Sequence, residues 1–430
     1  MRFFIVFSLI SIFSASNAQN IITVEDAVNI ALRNNFDILV ARNEADIAKA
    51  NNTPGNAGML PSVGAFGSGD YSVRNTTQKL SGGTENHYPS LSSASVNAGA
   101  ELSWTLFDGG RMFVTKNKLN EIEALGEIEF KDQVLQTLYS VVAVYYDVVR
   151  QKQQLNAINV VMSYNRDRVT IAQAGLNAGS LLKTDLLQAK IDLNVTMENA
   201  INQQYTIDAA KRDLNSILGQ DPNVAIEVTD SIPNNYSPDK KELLQRLDSV
   251  NTRILSYQKQ AEIARLSLKE NTRAYLPTLD FDAGYSLSHT NNSDGSVLNS
   301  RYYGPSAGGT VSIPLYSAGE NRRKIAVSKI QLQSAEYDLQ NIKLQVNTEL
   351  QNALTEFENQ RQLLQIETEN NQLSRENLEI SLQRLKQGQT TSLEVHQAQE
   401  NYAQSSSRLI NFEYNLKIAE TKLKQLISEL

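Results

Sequence analysis

Two hydrophobic periods divide this chain between them. From Leu279 to Leu287 every second residue is apolar (Leu279, Phe281, Ala283, Tyr285, Leu287), with Asp280, Asp282, Gly284, Ser286 and Ser288 on the alternate positions. Ala98, Ala100, Leu102, Trp104 and Leu106 alternate in the same way with Gly99, Glu101, Ser103 and Thr105. Successive side chains of a strand point to opposite faces, so each segment has one apolar and one wet face. Strands are predicted over 62–74, 97–107, 278–289 and 308–316. The stretches 74–97 and 290–307, rich in Ser, Asn and Gly, read as long polar loops.

Elsewhere the period lengthens to three and four residues. Leu339, Ile342, Val346, Leu350, Ala353 and Phe357 form one such series, and Ala398, Tyr402, Ser405, Leu409, Phe412 and Leu416 another. Val134, Leu138, Val141, Tyr145 and Val148 repeat the spacing earlier in the chain. This is the spacing of helices packed side by side. With no proline in 112–218 or 321–430, it predicts two long helical hairpins, 112–218 and 321–428. Each arm is expected to run about 60 residues, roughly 90 Å at 1.5 Å per residue.

The two halves repeat one another. Glu44-Ala45-Asp46-Ile47-Ala48-Lys49 matches Gln260-Ala261-Glu262-Ile263-Ala264-Arg265, and Leu60-Pro61-Ser62-Val63 matches Leu276-Pro277-Thr278-Leu279, both 216 residues apart. Beyond the first loop the offset is 209: Leu102–Phe107 matches Val311–Tyr316, Gly110 matches Gly319, and Gly179 matches Gly388. The seven-residue difference falls in a predicted loop, where length changes are tolerated. Each half reads as helix, strand, strand and helical hairpin. The first repeat covers 19–218 with its helix near 24–52, and the second covers 239–430 with its helix near 240–273. Thr23 and Asp26 are placed to cap the first helix as a capping box. Pro222, Pro233 and Pro238 mark 219–238 as the linker.

The chain opens with an export signal: Arg2, the apolar run Phe3–Phe13, and Ser16-Asn17-Ala18 as a small-residue cleavage site, so that 1–18 is the signal peptide and the mature chain starts at Gln19. No other apolar run has the roughly 20 residues a spanning helix needs. An exported chain of this kind is soluble or spans a membrane as a closed barrel. There is no cysteine, which excludes disulfides, thiolate metal sites and cysteine nucleophiles. The three histidines, His87, His289 and His396, are scattered. A net charge of −7 offers no basic stripe for nucleic acid. No nucleophile elbow, metal-ligand cluster or phosphate loop is present, so neither an enzyme nor a cofactor is expected.

Four strands close no barrel of useful bore. If the strands face lipid, several copies must pool them. The helices alone equally suit an exported coiled-coil rod, and a periplasmic adaptor also carries helical hairpins. Such an adaptor has a single hairpin flanked by a β-rich module, whereas here two equivalent hairpins occur.

The order and spacing of these features resemble TolC-type outer-membrane factors over nearly the whole mature chain. The resemblance rests on the signal peptide, the tandem repeats, the Leu-Pro-Ser/Thr strand starts, the Leu106-Phe107-Asp108-Gly109-Gly110 turn, and the stretch from each tip glycine to Gln188-Ala189 and Gln397-Ala398. It implies a mainly α protein with a membrane β-barrel. As a homotrimer, the chain would form one 12-stranded barrel in the outer membrane and an α-helical periplasmic tunnel. It further implies a passive exit duct for efflux or type I secretion. A periplasmic adaptor would dock at the hairpin tips, Ala178-Gly179-Ser180 and Gln387-Gly388-Gln389, and an inner-membrane pump would supply the energy. The family's acidic ring at the tunnel mouth falls on Glu394, with Asp185 as its repeat partner and Gln397 where a second acid can lie. The glutamines of the second tip and Gln397 are departures from the family pattern.

Overall fold

The computed structural model describes residues 21–430, so the signal peptide and the start at Gln19 lie outside the described residues. The chain forms two compact units. One gathers the chain up to Ala41, Lys131–Asn251 and Gln345–Leu430; the other gathers Arg42–Phe130 and Thr252–Leu344. Both repeats contribute to both units.

The first repeat runs β1 (Ile21–Ile22), α1 (Val24–Asn34), α2 (Phe36–Asn51), β2 (Ser62–Lys79), β3 (Glu85–Asp108), α3 (Arg111–Asn177) and α4 (Lys183–Ile217). After β4 (Glu227–Val228), the second runs α5 (Lys240–Val250), α6 (Thr252–Thr272), β5 (Thr278–Asn292), β6 (Asn299–Ser312), α7 (Glu320–Lys386) and α8 (Ser392–Leu426). The capping box forms: Thr23 Oγ1 accepts from Asp26 N–H at 3.1 Å, and Asp26 Oδ2 accepts from Thr23 N–H at 3.0 Å. Its counterpart 216 residues on is Asp239, which accepts from the N–H groups of Lys241 and Glu242.

Three expectations are corrected. The hairpin arms are unequal, 67 and 35 residues in both repeats, not about 60 each. The shorter arms stop because Gly219 and Ser428 take up left-handed backbone, φ +68° and +57°, just past α4 and α8. The single helices near 24–52 and 240–273 are each broken, at Asn35 and Asn251. These asparagines are 216 residues apart and both have extended backbone. Asn35 Nδ2 donates to Ile217 O at 2.8 Å and Asn251 Nδ2 to Leu426 O at 2.9 Å, each tying a helix break to the end of a short arm.

The third correction concerns the strands. The predicted loops 74–97 and 290–307 are largely strand, since β3 starts at Glu85 rather than near 97 and β6 at Asn299 rather than 308. Backbone pairing is indifferent to the Ser- and Asn-rich side chains. Thr76–Lys79 ladders with Glu85–Tyr88, and Asn299–Ala307 with Ala283–Asn291. At its other end β6 stops at Ser312 rather than 316, because its partner β5 begins at Thr278.

In the unit with the sheet, the four strands lie in the order β2-β3-β5-β6 and every pair is antiparallel. The register sets Ala98 opposite Leu287, Ala100 opposite Tyr285, Leu102 opposite Ala283 and Trp104 opposite Phe281. Directly opposed residues share a face. The two apolar series therefore form one continuous apolar face, on which Val63, Tyr71 and Val311 are also exposed. The helices of this unit meet through polar contacts: Lys259–Glu121 at 2.7 Å, Lys118–Glu270, and Asn271 Nδ2 to Ser328 Oγ at 2.7 Å.

The helical unit has its main core where α1, α3 and α4 meet the linker. Ala27, Val141, Tyr145, Val148, Leu214 and Val228 are among its buried members. β1 pairs in parallel with β4, Ile22 opposite Val228, and Tyr145 Oη donates to Ile22 O at 2.8 Å.

Candidate functional site

Each hairpin tip is built by the end of its long helix. In the first, Gly179 has φ +74°, the N–H of Ser180 donates to Gly175 O at 2.9 Å, and that of Gly179 to Leu176 O at 3.1 Å. In the second, Gly388 has φ +69°, and the N–H of Gln389 donates to Arg384 O at 2.9 Å. Both are Schellman ends, in which glycine takes left-handed backbone without a Cβ penalty. Ala178, Gly179, Ser180, Gln387, Gly388 and Gln389 are all exposed. A Cβ at either glycine would meet nothing within 4 Å. The tip surface is therefore open, and each tip adds one strongly exposed leucine, Leu182 or Leu393.

Below the turns the two tips differ. In the first, Gly175 leaves room for Leu181, whose Cδ1 would lie 2.6 Å from an added Cβ. Leu181 packs with Val169 and Leu176 on Ala172, Leu186 and Ala189. In the second, Arg384 and Thr390 occupy the equivalent positions. Arg384 Nη1 lies 3.0 Å from Glu394 Oε1, its Nη2 donates to Gln389 O at 3.2 Å, and the Thr390 hydroxyl donates to Glu394 Oε2. An apolar plug thus stands where the other repeat has a polar clasp.

The predicted acidic positions have local partners as well. Asp185 Oδ2 accepts from Leu182 N–H at 3.0 Å at the start of α4, where Leu182 has no capping side chain. Glu394, half exposed, shares its charge with Arg384. Gln397 is exposed and donates to Asn401 Oδ1 at 3.2 Å. Within one chain, Asp185 and Glu394 belong to separate tips.

Farther along the hairpins lies a buried polar network absent from the sequence expectations. Arg168, 1% exposed, places Nη2 2.5 Å from Asp192 Oδ2 and donates through Nη1 to Gln399 Oε1 at 3.0 Å. Gln399 Nε2 donates to Asn165 Oδ1 at 2.7 Å, and Asn165 Nδ2 to Thr196 Oγ1 at 2.7 Å. The network joins α3, α4 and α8 beside a groove of about 630 Å³. One signal in the sequence points to it: Asn165, Arg168 and Ala172 keep the three-four spacing of the buried stripe, so a charge sits where a core residue belongs. Among the described residues no group of three or more His, Cys, Asp or Glu is placed to hold a metal, and no helix is long and apolar enough to cross a membrane.

The family described as outer membrane efflux protein matches residues 27–220 and 243–429. Among relatives, the proteases secretion protein PrtF of Dickeya chrysanthemi is 24% identical over 335 residues, 76% of this chain and 70% of that protein. The outer membrane efflux protein BepC of Brucella suis is 24% identical over 332 residues, with the same shares. The outer membrane protein TolC of Escherichia coli is 22% identical over 333 residues, 73% of this chain and 62% of that protein. Among solved structures, the outer membrane protein VceC of Vibrio cholerae superposes with a TM-score of 0.75 at 15% identity, covering 94% of this chain and 95% of that one. The outer membrane channel CmeC of Campylobacter jejuni gives 0.77 at 16%, covering 94% and 85%. At such identities the structural likeness speaks to the fold.

Proposed function

The chain belongs to the outer membrane efflux protein family, and from that premise we propose that it is the subunit of a homotrimeric exit duct in the outer membrane. Three copies pool their strands into a 12-stranded barrel, while their hairpins line a tunnel in the periplasm. Substrate delivered by an inner-membrane pump through a periplasmic adaptor passes outward, and no bond is made or broken in this protein. The observation that carries the reading is the sheet: four strands with one apolar face, one polar face and two open edges. Lipid tolerates no open edge, since every backbone group must be paired there, and copies of the same chain supply the missing partners. The relatives named for protease secretion and for efflux support both transport classes.

The exposed tips with their flanking leucines are the proposed adaptor contacts, Ala178-Gly179-Ser180 more directly than Gln387-Gly388-Gln389. Glu394 is the proposed acid at the periplasmic mouth, with Asp185 and Gln397 beside it in the repeat scheme. The mature protein is expected to extract from outer membranes in detergent with a mass of three chains and to conduct in planar bilayers. A water-soluble single chain without conductance would overturn the reading in favour of a rod or an adaptor.

A further inference from the structure

The contacts that join repeat one to repeat two have counterparts that the chain cannot make with itself. In the sheet, the joining pair is β3 against β5: Leu102 faces Ala283, Trp104 faces Phe281, and a bulge lies between Thr105 and Phe107. Moving β3 forward by 209 and β5 back by 216 gives β6 against β2, with Val311 facing Gly67 and Ile313 facing Ala65. Both of these strands are edges without a partner in the chain. The counterpart of the bulge is Leu315-Tyr316, and these side chains are 93% and 88% exposed, although their equivalents Leu106 and Phe107 are roughly half as exposed, at 42% and 43%.

The helical unit carries the same relation separately. Tyr164 and Ile171 of α3 pack on the α7–α8 hairpin, against a cluster that includes Val395, Ala398 and Tyr402. The rings of Tyr164 and Tyr402 meet edge to face at 6.1 Å. Forward by 209, Tyr164 and Ile171 become Leu373 and Ile380 of α7, both exposed in the single chain. Back by 209, Val395, Ala398 and Tyr402 become Leu186, Ala189 and Leu193 of α4. The cluster holding Leu186 and Ala189 packs only with side chains of its own hairpin. An apolar knob and its socket are thus both present and both empty.

We propose that the seam between neighbouring copies repeats the seam within the chain: β6 and α7 of one copy meet β2 and α4 of the next, in the register set by the two offsets. This rests on the multi-copy duct and adds to it which residues touch. The contact is head-to-tail, the kind that closes into a ring when its rotation closes. Its chemistry differs from that of the inner seam. Where Arg168, Asp192 and Gln399 interlock inside the chain, the outer seam has Asn377, Asn401 and Lys190, with no carboxylate. It is held by apolar packing and strand pairing rather than by a buried ion pair.

The absence of native cysteine makes paired cysteines a clean test. Ala65→Cys with Ile313→Cys reports the sheet seam, and Leu193→Cys with Leu373→Cys the helical seam. Ala65→Cys with Val311→Cys is the same sheet slipped by two residues. Directly opposed antiparallel residues lie about 4.5–5.5 Å apart at Cα, within disulfide reach, whereas diagonal ones lie roughly 7–8 Å apart. The full chain in native outer membranes is treated with a mild oxidant and run on a denaturing gel without reductant. Both in-register pairs are expected to give linked dimers and larger species, with the slipped pair and the single variants giving little. A detergent-extracted mass of several chains with no linkage at either in-register pair, or with stronger linkage at the slipped pair, overturns the seam and leaves the duct standing. A single-chain mass overturns the duct and the seam with it.

Discussion

Gly219 and Ser428 show how closely the two repeats agree and where one residue decides an outcome. Both sit in left-handed backbone just past a short arm. A Cβ at Gly219 would meet Asn34 O at 2.4 Å, whereas Ser428, its counterpart, donates through Oγ to Val250 O at 2.8 Å. Left-handed backbone costs a non-glycine residue roughly 1–2 kcal/mol, and the backbone clash adds to this. Gly219→Ala is therefore expected to lower stability by about 2 kcal/mol or more, read as a lower midpoint in denaturant. Ser428→Gly removes a hydrogen bond worth about 1 kcal/mol but relieves backbone strain of similar size, so its midpoint should hardly move. Glu413 has a different residue-scale signature. Burial in α8 raises its carboxyl above the usual carboxylate range. A carboxyl whose folded value is raised favours the folded state most at pH below its unfolded value, and that advantage disappears as pH rises through the folded value. Glu413→Gln should therefore flatten the acid-side pH dependence of the melting temperature and raise stability at neutral pH. An unchanged profile would refute this.

At the scale of elements, the hairpins hold together through apolar stripes interrupted by one costly polar site. Arg168 and Asp192 are both largely removed from water, and Gln399 links them to α8. Removing one partner of a buried pair leaves an uncompensated charge and costs roughly 3–5 kcal/mol. Arg168→Leu should show a loss of that order, and adding Asp192→Asn should recover much of it, since the stranded carboxylate is then gone. Two additive losses would mean that the pair is not coupled. The Arg384–Glu394 pair at the second tip lies half exposed, where such pairs contribute about 0–1 kcal/mol. Its role is accordingly sought in conduction rather than in stability.

For the molecule as a whole, the polar clasp at Glu394 bears on the proposed mouth of the duct. A ring of carboxylates near one axis favours cations, but Arg384 offsets that charge within each chain. Arg384→Ala should therefore increase cation preference and block by multivalent cations in single-channel recordings, and Glu394→Gln should reduce both. If neither variant changes conductance or block, the acid has no part in the gate.

The sequence by itself determined the repeat, the type of each major element, the apolar face of the sheet and the position of both tips. These follow from local period and from punctuation by Pro61, Pro277, Gly179 and Gly388, which act on the chain wherever it lies. What only tertiary structure decided was how far each element runs and what its polar residues do. Ser- and Asn-rich stretches such as 85–96 became strand because a neighbouring backbone lay alongside, and backbone pairing leaves no mark in side-chain pattern. The helix breaks at Asn35 and Asn251 depend on carbonyls 182 and 175 residues away. Arg168 is stable in a core position only because α4 and α8 bring Asp192 and Gln399 to it. Each of these outcomes rests on partners far apart along the chain, and such distance is invisible to periodicity.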